Sequence, residues 1–345
     1  MRENLGGFMS VDVSGMYSRR TFLVAGAAAC ALSASFVLGG CGTSSPAKSV
    51  DDSKVQVVAS FYPMYDFASK IGGDRVQVTC LVPAGTEPHD WEPSTADLKT
   101  FETADMLVYN GAGMEHWVHD VLESTTNDKL VAVEASKGAH LLELSPEALA
   151  EEAAEHAAEG GAHAHEHEDE DSKTDPHVWL APENVKIEMN NIKESLIEID
   201  PDGRETYEAN YEKWAAECDA LDSEFTKGLS GVSNHSIVVS HEAFGYLCDA
   251  YGLTQMPIEG IEADAEPDAD QMAKIVDFVK QNNVKTIFSE ELVSPKVAQA
   301  IADASGAQVE ELNPLEGLSD DELAAGEEYF SVMRSNLDAL KKALA

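Results

Sequence analysis

From residue 55 onward, short apolar runs alternate with stretches whose apolar residues recur at helical spacing. The runs at 55–60, 76–83, 106–111 and 129–135 are short and rich in Val, Leu and Met, which predicts strands. The segments between them, 62–73, 95–105 and 114–125, predict helices. The alternation resumes with strands at 236–241, 254–260, 285–290 and 307–312, and helices near 243–251, 268–283, 294–305 and 320–344. Strand–helix alternation at this pace implies right-handed βαβ units on mostly parallel sheets. Two helical stretches separate the halves. The first, about 182–199, carries Pro182 near its first turn, where a missing N–H costs nothing. The second, 204–229, places Tyr207, Tyr211, Trp214, Cys218, Leu221 and Phe225 at spacings of 4, 3, 4, 3 and 4. That is one apolar stripe on a helix about 39 Å long. The pattern predicts an α/β protein of two Rossmann-like lobes, 55–202 and 231–345, joined by a single long rigid helix at 203–230. One helical link limits hinge freedom more than several extended strands would.

The alternation breaks at about 145–175, where "SPEALAEEAAEHAAEGGAHAHEHEDEDSKTD" is poor in apolar bulk and rich in Ala, Glu, Asp and His. It reads as an inserted loop, disordered at least over 160–173. His156, His163, His165 and His167 in it are candidate auxiliary metal ligands, offering donors without fixed geometry. At the other end, Arg19 and Arg20 precede about twenty small or apolar residues that finish in "LGGC". A twin-arginine pair before such a run reads as an export signal, and the final cysteine, Cys41, as a lipidation site. On that reading 1–40 is a cleaved signal, 41–54 a flexible tether, and Met16 an alternative start. A transmembrane anchor is the competing reading, since about twenty residues just span a bilayer.

The 345-residue chain is long enough for two domains, and 43% hydrophobic residues mark it as globular. Its 63 acidic against 23 basic residues give a formal charge of −40, which argues against nucleic acid and anionic membrane surfaces. Solubility alone accounts for such a charge, so any cation-binding role must rest on particular residues. Cleavage before Cys41 leaves Cys80, Cys218 and Cys248. They include no CxxC and read as buried free thiols, with a Cys218–Cys248 bridge as the alternative.

Four ligand-type residues lie just past strand ends or in the loops that follow, where open parallel sheets bind ligands. They are His89 in "LVPAGTEPHDWEPS", His177 in "TDPHVWLAP", His241 closing "SIVVSH", and Glu316 in "LNPLEGL". Two come from each lobe, so they converge only in the cleft between lobes. Three neutral imidazoles and a carboxylate suit a tetrahedral Zn²⁺ site. Such ligands must be deprotonated, so binding should weaken as pH falls through the histidine range near 6.5. His116 and His119, at i and i+3 on a helix, read as surface histidines. HExxH and GxxxxGK[ST] are both absent. A zinc hydrolase is therefore disfavoured, and any ATP-driven step falls to partner chains.

The segments "SFYPMYDFASKIGGDRV", "PAGTEPHDWEPSTADLKTFETADMLVYNGAGMEHWV", "DPHVWLAPENV", "SHEAFGYLCDAYGL" and "LNPLEGL" resemble the cluster A-I metal-binding solute-binding lipoproteins of ABC importers. The likeness covers about 55–345. It implies metal ligation by His89, His177 and His241, and a histidine at the third position implies zinc rather than manganese. The family's fourth ligand is a carboxylate in the last loop, where this chain has Asn313 and Glu316. Glu316 is the expectation, with Glu290 or a water as alternatives. The resemblance implies an extracytoplasmic, lipid-anchored monomer that captures Zn²⁺ and delivers it to a membrane permease with a cytoplasmic ATPase. The histidine-rich loop would serve as a weak accessory site. A manganese receptor or a surface adhesin of the same fold is the alternative.

Overall fold

The computed structural model describes residues 51–144, 148–149, 173–261 and 267–345. Arg19, Arg20, Cys41, His156, His163, His165 and His167 lie outside them. No helix of the described residues is long and apolar enough to cross a membrane.

The first lobe runs β1 (Val55–Ala59), α1 (Tyr62–Gly72), β2 (Val76–Cys80), α2 (Thr95–Phe101), β3 (Met106–Tyr109), α3 (Val118–Ser124) and β4 (Val131–Glu134). Its strands are all parallel, in the order β2-β1-β3-β4. Helices α4 (Pro182–Ile199) and α5 (Arg204–Leu229) follow. The second lobe runs β5 (Ser236–Val239), α6 (Gly245–Tyr251), β6 (Thr254–Pro257), α7 (Ala269–Gln281), β7 (Thr286–Ser289), α8 (Lys296–Ser305) and β8 (Gln308–Glu311), then α9 (Asp320–Ala325) and α10 (Tyr329–Leu344). Its parallel order, β6-β5-β7-β8, repeats that of the first. In each sheet the order reverses beside the first strand, which opens a crevice at the carboxyl ends.

The long helix has 26 residues, and its stripe is where the spacing puts it. Tyr207, Cys218, Leu221 and Phe225 are buried, while Tyr211 and Trp214 are partly buried against the same core. That core is continuous from Val57 and Phe67 in the first lobe to Tyr329 and Leu340 in the second. Polar bonds fasten the helix to both lobes. Asn210 Nδ2 donates to Ile71 O at 2.9 Å and Trp214 Nε1 to Lys70 O at 3.2 Å, while Arg334 reaches Glu217 and Glu224. Lys70 in turn pairs with Asp66 on its own helix and with Glu328 of the second lobe, at 2.6 and 2.8 Å.

The helix expected over 320–344 is two helices. Gly326 takes a left-handed conformation (φ 84°) that closes α9, and extended Glu328 caps α10 by accepting the Ser331 N–H. The glycine pays no Cβ penalty there, so the stop is inexpensive. Cys80, Cys218 and Cys248 are all free thiols. Burial pushes the Cys248 thiol up to about 12, which leaves it without thiolate character at neutral pH.

Candidate metal centre

Each of the four loops that carry candidate ligands is braced locally. An isolated antiparallel bridge, Glu143–Thr174, precedes Asp175 and His177. The His177 backbone N–H and its Nδ1 both meet Asp175 Oδ1, at 2.9 and 2.8 Å. His241 follows β5, and its Nδ1 lies 2.8 Å from both oxygens of Glu290. A carboxylate facing Nδ1 only accepts, so Nδ1 carries the proton and Nε2 is left for a metal. His89, in the Pro- and Gly-rich loop after β2, is held through its backbone, which donates to Glu87 Oε1 at 2.9 Å.

Glu316 sits on the most constrained turn. Leu315 before it has φ 62°, costly for a branched side chain, and Asn313 Oδ1 holds that turn by accepting the Leu315 N–H at 2.7 Å. The rest of the Asn313 amide is committed to Glu291, and its backbone to Asn336. Trp179, two residues after His177, donates its indole N–H to Pro314 O at 2.8 Å, and Trp179 O accepts the Tyr329 hydroxyl at 2.7 Å. An indole from one lobe is thus pinned into the ligand loop of the other.

The result is convergence. His89, His177, His241 and Glu316 are all buried, and each offers a ligand atom within 4.8 Å of the others. Glu316 Oε1 lies 3.0 Å from His177 Nε2, 2.9 Å from His241 Nε2 and 3.5 Å from His89 Nε2, and the two former nitrogens are 3.3 Å apart. Ligand atoms of a regular tetrahedron with metal–ligand bonds of 2.0–2.1 Å are separated by about 3.3 Å. The four distances bracket that edge, so an ion of zinc's size fits with small adjustments.

The charges are set for exchange. Burial opposes charge on both anchored histidines, but Asp175 and Glu316 push His177 up to about 9, and Glu290 and Glu316 push His241 well above its ordinary value. Burial also opposes charge on Glu316, yet His241, His177 and His89 together hold its carboxyl well below the usual range. Burial, with Glu316, pushes Glu87 up to about 7 against His89 and His241.

Of the other sequence candidates, Glu290 is bound to His241 Nδ1, and the Asn313 amide is used by the loop. His116 and His119 are exposed, and His119 faces Glu123 at 3.4 Å. The roles of Asp175 and Glu87 were not read from the sequence. The signal was available in the two acidic–Pro–His triplets, 87–89 and 175–177.

Two parallel-sheet lobes meeting on a buried cluster of three imidazoles and a carboxylate define a two-lobed α/β metal receptor of the solute-binding type. Over residues 57–343 the chain matches the model of the family described as ZnuA, zinc-uptake complex component A, periplasmic. The chain belongs to that family. It is 41% identical over 91% of its length to the high-affinity zinc uptake system protein ZnuA of Bacillus subtilis, covering 96% of that protein. It is 40% identical over 84% of its length to the zinc-binding protein AdcA of Streptococcus pyogenes, but spans only 56% of that longer relative. Among solved structures, the Zn(II)-bound ZnuA-like domain of Streptococcus pneumoniae AdcA matches with a TM-score of 0.70 at 35% identity, covering 84% of this chain and 99% of that one.

Proposed function

We propose that the chain is the extracytoplasmic zinc-binding component of an ABC importer, with His89, His177, His241 and Glu316 as the ligands. The observation that carries this is the buried meeting point of three Nε2 atoms and one carboxylate oxygen, with two of the imidazoles oriented by carboxylates. Borderline nitrogen donors favour Zn²⁺ over Mn²⁺, which prefers hard oxygens. A full set of four protein ligands leaves no open position for a reactive water, so the protein is a carrier and not an enzyme. Zinc is the cargo. It is passed to a membrane permease whose cytoplasmic ATPase supplies the energy.

The chain's organisation follows from this role. Residues 1–40 direct export, lipid on Cys41 anchors a monomer through the 41–54 tether, and the lobes 55–202 and 231–345 work on either side of the 203–230 linker. The histidine tract with His156, His163, His165 and His167 gathers zinc weakly near the lobes. A competition titration of the apo chain with Zn²⁺ against a chelator tests the reading. One tight site is expected, lost in His177→Ala and kept when 156–172 is deleted. Tight binding that survives His177→Ala, or that vanishes with the deletion, would place the chemistry elsewhere.

A further inference from the structure

The two acidic–Pro–His triplets make the same backbone contact and then diverge. In each, the histidine N–H donates at 2.9 Å to the acidic side chain two residues earlier. In the second triplet the short Asp175 uses that same oxygen to reach the ring, and so locks His177. In the first, the longer Glu87 bonds the backbone through Oε1 and leaves Oε2 closed off from solvent with no hydrogen-bond partner. An anionic oxygen in that state is costly unless a cation visits it. The charges that bear on the Glu87 carboxylate are those of Glu316, His89 and His241, which are three of the four cluster residues.

The cluster is also uneven. His177, His241 and Glu316 are 0%, 0% and 1% exposed, while His89 is 8% exposed and lies farthest from Glu316. Its loop is tied across the cleft by Gly85 N–H to Leu318 O at 3.1 Å. The open side of the cluster is therefore the His89 side, and Glu87 stands on it.

We propose that Glu87 is an exchange donor: its Oε2 takes zinc as the ion passes between solvent and His89, in loading and in release. Glu87 is not one of the four donors that lie within 4.8 Å of one another, so it serves the ion in passage and not at rest. A donor present only in passage lowers the barrier in both directions and leaves the end states alone. This inference rests on the four-residue site being the zinc site.

Stopped-flow measurement of Zn²⁺ association and of chelator-driven dissociation tests it, using the full chain and Glu87→Gln. The substitution keeps size and the bond to His89 N–H but removes the charge. Both rates should fall about tenfold or more, the loss expected when one contact to a charged group is removed from the exchanging state, while the equilibrium constant stays within about threefold. The visible spectrum of the Co²⁺-loaded protein should not change. Unchanged rates would make Glu87 a spectator. Faster release with weaker equilibrium binding and an altered Co²⁺ spectrum would make it a permanent ligand, and either result overturns the proposal. Failure of the wild type to bind zinc, or no effect of His177→Ala, would instead defeat the site assignment.

Discussion

Zinc should displace close to two protons when it binds at pH 7.5. Each imidazole presents Nε2 to a metal only after losing the proton there. Histidines of ordinary pKa, near 6.5, are about nine-tenths neutral at pH 7.5, so three of them would release only about 0.3 proton. His177 is pushed up to about 9 and His241 well above its ordinary value, because each is wedged between carboxylates. Both should therefore hold a proton in the apo protein at pH 7.5. The apparent association constant should then rise about a hundredfold per pH unit between about pH 6.5 and 8. The window lies higher than the one near 6.5 that the sequence suggests, and the anchoring carboxylates are the reason. Calorimetric titrations at fixed pH in buffers of different ionisation enthalpy give the proton count from the slope. A count below about one-half would refute the reasoning. Apo stability has a matching signature. The folded pKa of His177 exceeds the unfolded value, so its contribution is complete below about 6.5 and is lost as pH rises through about 9. A folded pKa of about 9 against an ordinary 6.5 amounts to about 3 kcal/mol at most. Apo protein should lose about 2 kcal/mol of that contribution between pH 7 and pH 9 and melt lower accordingly, whereas zinc-loaded protein has already given up these protons. Two protons leave as one divalent ion arrives, so the buried cluster keeps its charge throughout.

Three further predictions concern the groups behind the ligands and one ligand itself. Asp175→Asn or Glu290→Gln should weaken zinc binding by about 10- to 100-fold in a chelator competition, because the ring each orients is released; unchanged affinity would show that the rings are held by packing alone. Gly245→Ala would place a Cβ 2.2 Å from Asp175 Oδ2, so that carboxylate must turn away from His177 and zinc affinity should fall about tenfold or more. A Gly245→Ala protein with full affinity would argue that Asp175 is dispensable. His241→Glu should narrow the preference for Zn²⁺ over Mn²⁺, measured by competition between the two ions, because a hard oxygen replaces a nitrogen; a widened preference would contradict the donor-set argument.

The sequence was informative wherever one element decides the outcome. The stripe from Tyr207 to Phe225 depends only on helical period and packs as its spacing indicates. The strands at 106–111 and 236–241 are short apolar runs, and each becomes an inner strand of its sheet. His89, His177, His241 and Glu316 were weak signals singly and gained weight together, through the paired lobes and the resemblance of the segments that carry them. What the sequence concealed are relations between distant segments. Glu290 is 49 residues from His241, and only the neighbouring positions of β5 and β7 bring it to Nδ1. Asn313 looked like a rival to Glu316, and its role as the brace of the Leu315 turn needs Asn336 and Glu291 in place. The break at Gly326 was legible in principle. It was overridden by the strong apolar spacing on either side.

The Trp179 indole gives the cleft a fulcrum. It is completely buried, bonded to Pro314 and Tyr329 of the opposite lobe, and its ring lies 5.4 Å from that of His177. A tilt about a pinned floor displaces each residue in proportion to its distance from the pin. His177 and Glu316, on either side of it, should keep their spacing while the loop bearing His89 sweeps through the larger arc. Such leverage lets a small torque applied far from the floor strip one ligand without dismantling the rest. Spin labels at exposed Leu98 and Leu323, one on each lobe, should therefore show a broader distance distribution without zinc than with it, and Trp179→Phe should broaden it further. Equal distributions in all three states would mean that the lobes do not turn about this point.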